Sequence, residues 1–479
     1  MNRLTLIFRV CILILVVAAG AGTIWAQDEP QEPPPDSAPK PAGQSLPGVD
    51  QQNQDQNQNN QIEPDQTPLT GMLTPTLGTP EVQHSYLVTG AQFASSVESN
   101  GYGGSGWYDY NYVAANVSLL EAWSRSKLIV NYTGGGYFAS ESDLGNGAFQ
   151  QVSLAQTIDL KRLKIQIADS FAYSPQSMYG FGGGTNLGVP GVGGSLGPVA
   201  PGIGNSFTPY ASLYGGLGPQ YTNIGIVQGT YAFTPRGSIT VSAGYGILNF
   251  INPGFVDTDS FFTAVGYNYL LSPNNTIGAF YQFGSYHFPG DSQAYGSQTA
   301  SLAFSRKITG RLSLSLRAGP EYNSFRIPYG TSSSQLGWYA SGSLGYRLEK
   351  GGLSASYVHG LSGGGGLLVG STLDQVNLNV SRNLTQAWTG NLNFGFANNK
   401  SILTSPTIFN PSYRSWYLGG GVSRRFGRSV TFGLAYTASI STYSSLSTCP
   451  GTTCGPSSNS LYQTLNLSVQ WRMRPFVLR

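Results

Sequence analysis

The chain has 479 residues, of which only 10% are charged against 12% aromatic, and its net charge is +3. Charge this sparse, far below the roughly 25% of a soluble domain, argues against an ordinary water-soluble enzyme or a nucleic-acid-binding module, and no nucleic-acid partner is expected. Mean hydropathy is only −0.12, and beyond the first few dozen residues no apolar run approaches the roughly 20 residues of a helical membrane span.

Residues 1–26 read as a secretory signal peptide. Arg3 and Arg9 form the basic start, Val10 to Gly22 the apolar stretch, and Ile24-Trp25-Ala26 the cleavage site. Cleavage after Ala26 is the first choice and after Ala21 the second. Residues 27–84 follow with Pro33-Pro34-Pro35 and the Gln/Asn run of Gln51–Gln61, and carry nine acids against the single base Lys40. A segment this polar buries too little apolar surface to offset its ordering entropy, so it is expected to be disordered and periplasmic.

From Ser85 to the end the apolar residues recur with period two. Leu312, Leu314 and Leu316 alternate with Ser313, Ser315 and Arg317; Val376, Leu378 and Val380 with Asn377, Asn379 and Ser381; Leu465, Leu467, Val469 and Trp471 with Asn466, Ser468, Gln470 and Arg472. Each is a strand with one apolar and one polar face. About eighteen such units of roughly ten residues are separated by turns of two alternating kinds.

The short turns fall near Trp123–Lys127, Asp159–Lys164, Thr234–Gly237, Ser272–Asn275, Lys307–Arg311, Glu349–Gly352, Asn383–Ala387 and Phe426–Arg428. Most of the bases lie at those turns or at the C-terminus, whereas acids such as Glu141, Asp143, Asp257 and Asp291 lie in the long loops between them. This sorting predicts an all-β fold: a closed antiparallel transmembrane barrel of about 18 strands over residues 85–479, with its short turns periplasmic. One strand misfits. Asp169 shares parity with Ile165, Ile167 and Phe171, which predicts a bulge or register shift there.

Two cysteines, Cys449 and Cys454, remain after cleavage. In an exported chain, a pair closing so tight a loop points to a disulfide.

With its signal peptide, short and long turns in alternation, and closing amphipathic strand Leu461–Met473, the chain resembles the bacterial outer-membrane porins. The resemblance rests on architecture over residues 85–479. It implies an outer-membrane location, contact with outer-membrane lipid, recognition by the barrel-assembly machinery, and a possible homo-oligomer. It also implies that the longest loop, Ser174–Thr222, the third on the outer side, folds into the lumen. Here that loop has no charged residue and carries Tyr179, Phe181, Phe207, Tyr210 and Tyr214 as candidate constriction aromatics. Porins end on an aromatic residue read during assembly. This chain ends on Arg479, so Trp471 and Phe476 are the candidate assembly signal.

On the lumen face, Arg317 and Glu321 share parity. They are candidate constriction residues, or a self-neutralising pair braced in the wall, and the second reading is favoured. An enzyme is not expected. The mature chain has His84, His287 and His359 alone; Ser285 and His287 share a strand face, but His287 reads as part of an interfacial aromatic belt with Tyr286 and Phe288. Gly101–Gly106 and Gly363–Gly366 read as turn chemistry in outer loops, and no spacing suggests a metal or a cofactor. The function expected is passive diffusion of small, neutral or weakly charged solutes. The alternative is an occluded barrel with a structural, adhesive or polymer-export role.

Overall fold

The computed structural model describes residues 85–99, 107–139, 146–174, 220–251, 257–289, 294–326, 333–365, 368–402, 412–444 and 459–478. Residues 1–26, the acidic segment, residues 175–219 of the third outer loop with the five candidate aromatics, and Cys449 and Cys454 lie outside them. No described helix is long and apolar enough to cross a membrane.

The described residues form the strands β1 (Tyr86–Ser99), β2 (Trp107–Ala122), β3 (Ser126–Ala139), β4 (Gly147–Asp159), β5 (Leu163–Ser174), β6 (Gln220–Ala232), β7 (Gly237–Phe250), β8 (Thr258–Ser272) and β9 (Asn275–His287). They continue as β10 (Ala294–Lys307), β11 (Leu312–Arg326), β12 (Ser333–Leu348), β13 (Gly351–Gly365), β14 (Leu368–Asn383), β15 (Trp388–Ser401), β16 (Ser412–Phe426), β17 (Val430–Ser444) and β18 (Asn459–Arg472), with a two-residue β19 (Phe476–Val477). From β1 to β18, each strand pairs antiparallel with the next. β1 closes the ring on β18, with Gly90 opposite Arg472 and Glu98 opposite Thr464. β19 extends that seam, with Phe476 opposite Leu87. The result is a closed barrel of eighteen strands plus this short extension.

Burial along the strands is inverted relative to a soluble protein. In β7, Ile239, Val241 and Tyr245 are 41%, 54% and 46% exposed, while Ser238, Thr240 and Ser242 between them are buried. An apolar exterior with a polar interior, and every wall strand hydrogen-bonded on both sides, is what a bilayer demands of a β-structure. The polar face is cross-linked along the inside. Ser118 Oγ donates to Asn131 Oδ1 at 2.7 Å, and the Asn131 amide donates to Ser153 Oγ at 3.4 Å.

Large inward side chains are accommodated by glycines. Phe149 lies opposite Gly135, Phe262 opposite Gly244 and Phe280 opposite Gly266. A methyl group on Gly244 would fall 2.2 Å from the Phe262 ring, and one on Gly266 2.2 Å from Phe280. The missing side chain of one strand is the space its neighbour's ring occupies.

The short turns are built by threonine at three places. Thr234 Oγ1 accepts from the Gly237 amide at 2.7 Å, Thr309 Oγ1 from Leu312 at 3.0 Å, and Thr385 Oγ1 from Trp388 at 3.1 Å. A hydroxyl three residues upstream of a strand's first amide holds the reversal. In the Phe426–Arg428 turn, Gly427 takes φ +62°, the left-handed conformation that favours glycine.

The shift expected at Asp169 is absent. The β4–β5 and β5–β6 ladders run unbroken through Leu154, Asp169 and Gly225. The carboxylate sits on the outward face beside the glycine and accepts from the Asn223 side-chain amide at 3.3 Å. A local donor and a vacant Cβ position accommodate the charge, so the ladder need not slip. The one register irregularity among the described ladders lies between Leu270 and Ser272.

Candidate functional site: the lumen and its crossing strand

The polar face lines the lumen. On β14 to β18 it presents Asn377, Asn379, Ser381, Asn391, Asn393, Ser415, Thr437, Thr464 and Asn466. Near the short-turn end, the register also turns Lys127, Lys164, Arg347, Arg425 and Arg472 inward. Lys164 lies 3.9 Å from Asp159. The bases that sequence reading placed at this rim thus include a lumen-facing subset.

Arg317 and Glu321 both point inward from β11, but they are not an ion pair. Arg317 Nε donates to Ser301 Oγ at 2.7 Å and its Nη2 to Gln282 Oε1 at 3.2 Å. Its guanidinium lies over the rings of Phe280 and Tyr339, at 4.9 and 5.2 Å. Glu321 is 5% exposed and accepts from Ser297 Oγ at 3.0 Å. It also takes a hydrogen bond from the Leu361 backbone amide. The self-neutralising pair is therefore corrected. Four residues along a strand place the two groups too far apart to need each other, and each finds partners on neighbouring strands.

The Leu361 contact belongs to a feature that sequence reading missed. The β12–β13 ladder stops at Ala340 opposite His359, although β12 reaches back to Ser333 and β13 on to Gly365. Above that point β13 leaves the wall and comes against β8 on another side of the barrel. Leu361, which its parity would place outside, packs with Ile402 against an inward shelf of Tyr286, Phe288, Tyr295 and Phe325. Tyr286 and Tyr295 stack at 4.6 Å. On the return, Gly370 takes φ +71°, and a methyl group there would lie 2.9 Å from the Tyr295 ring. Gly363–Gly365 thus lie on the stretch of β13 that crosses the lumen. Ladder continuity is a tertiary property; the only local signal was the density of glycines from Gly360 to Gly370.

Tyr286 and Phe288 are buried in that shelf, which corrects the belt proposed for His287. His287 itself faces outward, opposite Asp259. The third histidine, His359, also faces outward. Its Nδ1 lies 2.6 Å from Asp374 Oδ1, and its ring stacks on Trp338 at 3.7 Å. The candidate assembly residues Trp471 and Phe476 are 47% and 61% exposed. No group of acids, histidines and cysteines that could hold a metal occurs among the described residues.

No family model matches the chain. No curated protein is significantly similar to it. The solved structures it resembles include the outer-membrane protein OpdK of Pseudomonas aeruginosa, with 9% identity and a TM-score of 0.41 over 81% of this chain and 99% of that one. OccK2 (OpdF) of the same organism gives 9% and 0.43 over 82% and 98%. OccAB2 of Acinetobacter baumannii gives 10% and 0.42 over 81% and 98%. The chain's own closed ladder and inverted burial define its class: a transmembrane β-barrel of the bacterial outer-membrane type, with eighteen strands.

Proposed function

We propose that the barrel is a pore for passive diffusion of small polar solutes, neutral or weakly charged. The observation that carries this is the lumen face of β14 to β18, where Asn, Ser and Thr side chains alternate with small residues such as Gly395, Gly419 and Gly421 inside an apolar wall. Amides and hydroxyls at such density favour water, and a wet lumen through a closed wall is a conduit. The inward bases at the short-turn end add a mild preference for anions. Planar-bilayer recordings of the purified protein test the proposal. Open-channel conductance with a reversal potential near zero in a KCl gradient supports it; a strong ion preference rejects the weakly selective pore.

One observation favours a second reading, an occluded barrel with a structural, adhesive or polymer-export role. The upper part of β13 crosses the lumen and is anchored on the aromatic shelf. Absence of conductance from protein verified as folded would select it.

A further inference from the structure

The lipid-facing wall of β14 to β18 is not smooth. A groove of about 480 Å³ is cut into it. Its floor is made by Gly420, at an outward position flanked by Leu392 and Tyr436, and by Gly390, where the Leu384 side chain folds in to within 3.3 Å of the place a methyl group would take. The walls are Val380, Leu392, Leu434, Tyr436 and Leu465, all apolar but for one phenol, which is occupied in donating to Gln463 Oε1 at 2.7 Å. From β14 to β18 the groove spans four strand spacings, about 19 Å.

Its lower end is basic. Arg382 lines the groove at the short-turn end, directly opposite Gly390. Arg424, also outward and next to Val422 on that face, lies over Trp388 and Phe426 at 5.4 and 4.5 Å. Two guanidiniums and an indole at the headgroup level, above which runs an apolar trough, form an arrangement complementary to one molecule with a phosphate and a long hydrocarbon tail.

We infer that this groove holds a glycerophospholipid of the periplasmic leaflet, with one acyl chain over Gly420 and against Leu384 and Leu392, and its phosphate on Arg382 and Arg424. A second copy of the chain fits less well. Two convex barrel walls touch over a narrow strip, so a second copy would reach the trough only with projecting side chains, whereas a flexible acyl chain follows its length. The site is independent of whether the lumen conducts.

The test uses the full-length protein, stripped by detergent exchange and reconstituted with phosphatidylethanolamine and phosphatidylglycerol, then read by native mass spectrometry. Gly420→Leu fills the trough. A methyl group at Gly420 meets nothing closer than Leu392 Cδ1 at 3.6 Å, so the first carbon of the new side chain is accommodated. Arg382→Gln removes a charge and leaves the trough. Wild type is expected to retain one phospholipid. Arg382→Gln should cut its occupancy about fivefold, the weight of one base at a lipid surface, and Gly420→Leu should abolish it, with the heat-modifiable gel shift of the folded barrel unchanged. Equal retention by all three proteins, or no retained lipid in wild type, overturns the inference. So does a Gly420→Leu protein whose change is a lost oligomer with its lipid intact, which would make the groove an interface between copies. If Gly420→Leu fails to fold, retention by Arg382→Gln alone decides.

Discussion

Glu321 on β11 accepts a hydrogen bond from the backbone amide of Leu361 on β13, across a point where the strand between them, β12, no longer pairs with β13. The contact ties a strand that has left the wall to the wall two strands away. It gives a carboxylate usually read as an ion filter a mechanical task.

Glu321→Ala should therefore loosen the crossing strand. Leu361 loses its anchor, and the apolar contact with Tyr295 and its neighbours and the approach to β8 are left to hold β13 inward. Single-channel conductance is expected to rise and to become noisier. An unchanged current amplitude would show that the crossing strand does not limit flow.

Arg317 is predicted to be structural. Replacing it with Ala strands Gln282 Oε1 and Ser301 Oγ and removes a cation from between two rings. A cost of about 1–3 kcal/mol follows from leaving such groups unpaired. The check is the midpoint of urea unfolding in lipid vesicles, which should fall, set against a reversal potential that barely moves.

Selectivity should respond at the other end of the lumen. Arg347→Gln, Arg425→Gln and Arg472→Gln combined remove three inward bases from the short-turn rim. In a KCl gradient the reversal potential is expected to shift toward cation preference at low ionic strength and to return at high salt, where screening shortens the reach of the remaining charges to a few ångströms. A salt-independent shift would place the effect elsewhere.

The glycine–ring pairs predict a sharp contrast. Gly244→Ala would drive a methyl group into Phe262, 2.2 Å away, whereas Gly229→Ala meets nothing within 4 Å. The first should lower stability by about 1–3 kcal/mol, as overpacking does; the second should be near neutral. The temperature at which each protein loses its folded gel mobility measures the difference.

Strand number, short-turn positions and the inside–outside assignment were legible because they are written locally, in period-two alternation and in turn residues such as Thr234, Thr309 and Thr385. Asp169 shows where local reading overreached. Parity flagged a charge on the wrong face, but its solution lay on another strand, in Asn223 and Gly225. The crossing of β13 was illegible for a similar reason. Gly360 and Leu361 continue an ordinary alternation, and the decision to leave the wall depends on a shelf assembled from Tyr286, Phe288, Tyr295 and Phe325, three strands' worth of residues that no short window contains. Arg317 and Glu321 were correctly placed on the lumen face, but their partners, Gln282, Ser301 and Ser297, come from β9 and β10.

The seam between β1 and β18 carries a further consequence. Every other ladder joins sequence neighbours and can zip as a hairpin as soon as its turn forms. The seam joins the two extremities of the barrel, so it spans the longest loop of the topology and carries the largest single closure cost. Until it closes, both edges are open templates for pairing with other chains. β19 pairs with the first residues of β1, at Tyr86 and Leu87. Those two extra rungs lengthen the seam at its short-turn end, where β1 begins and β18 ends.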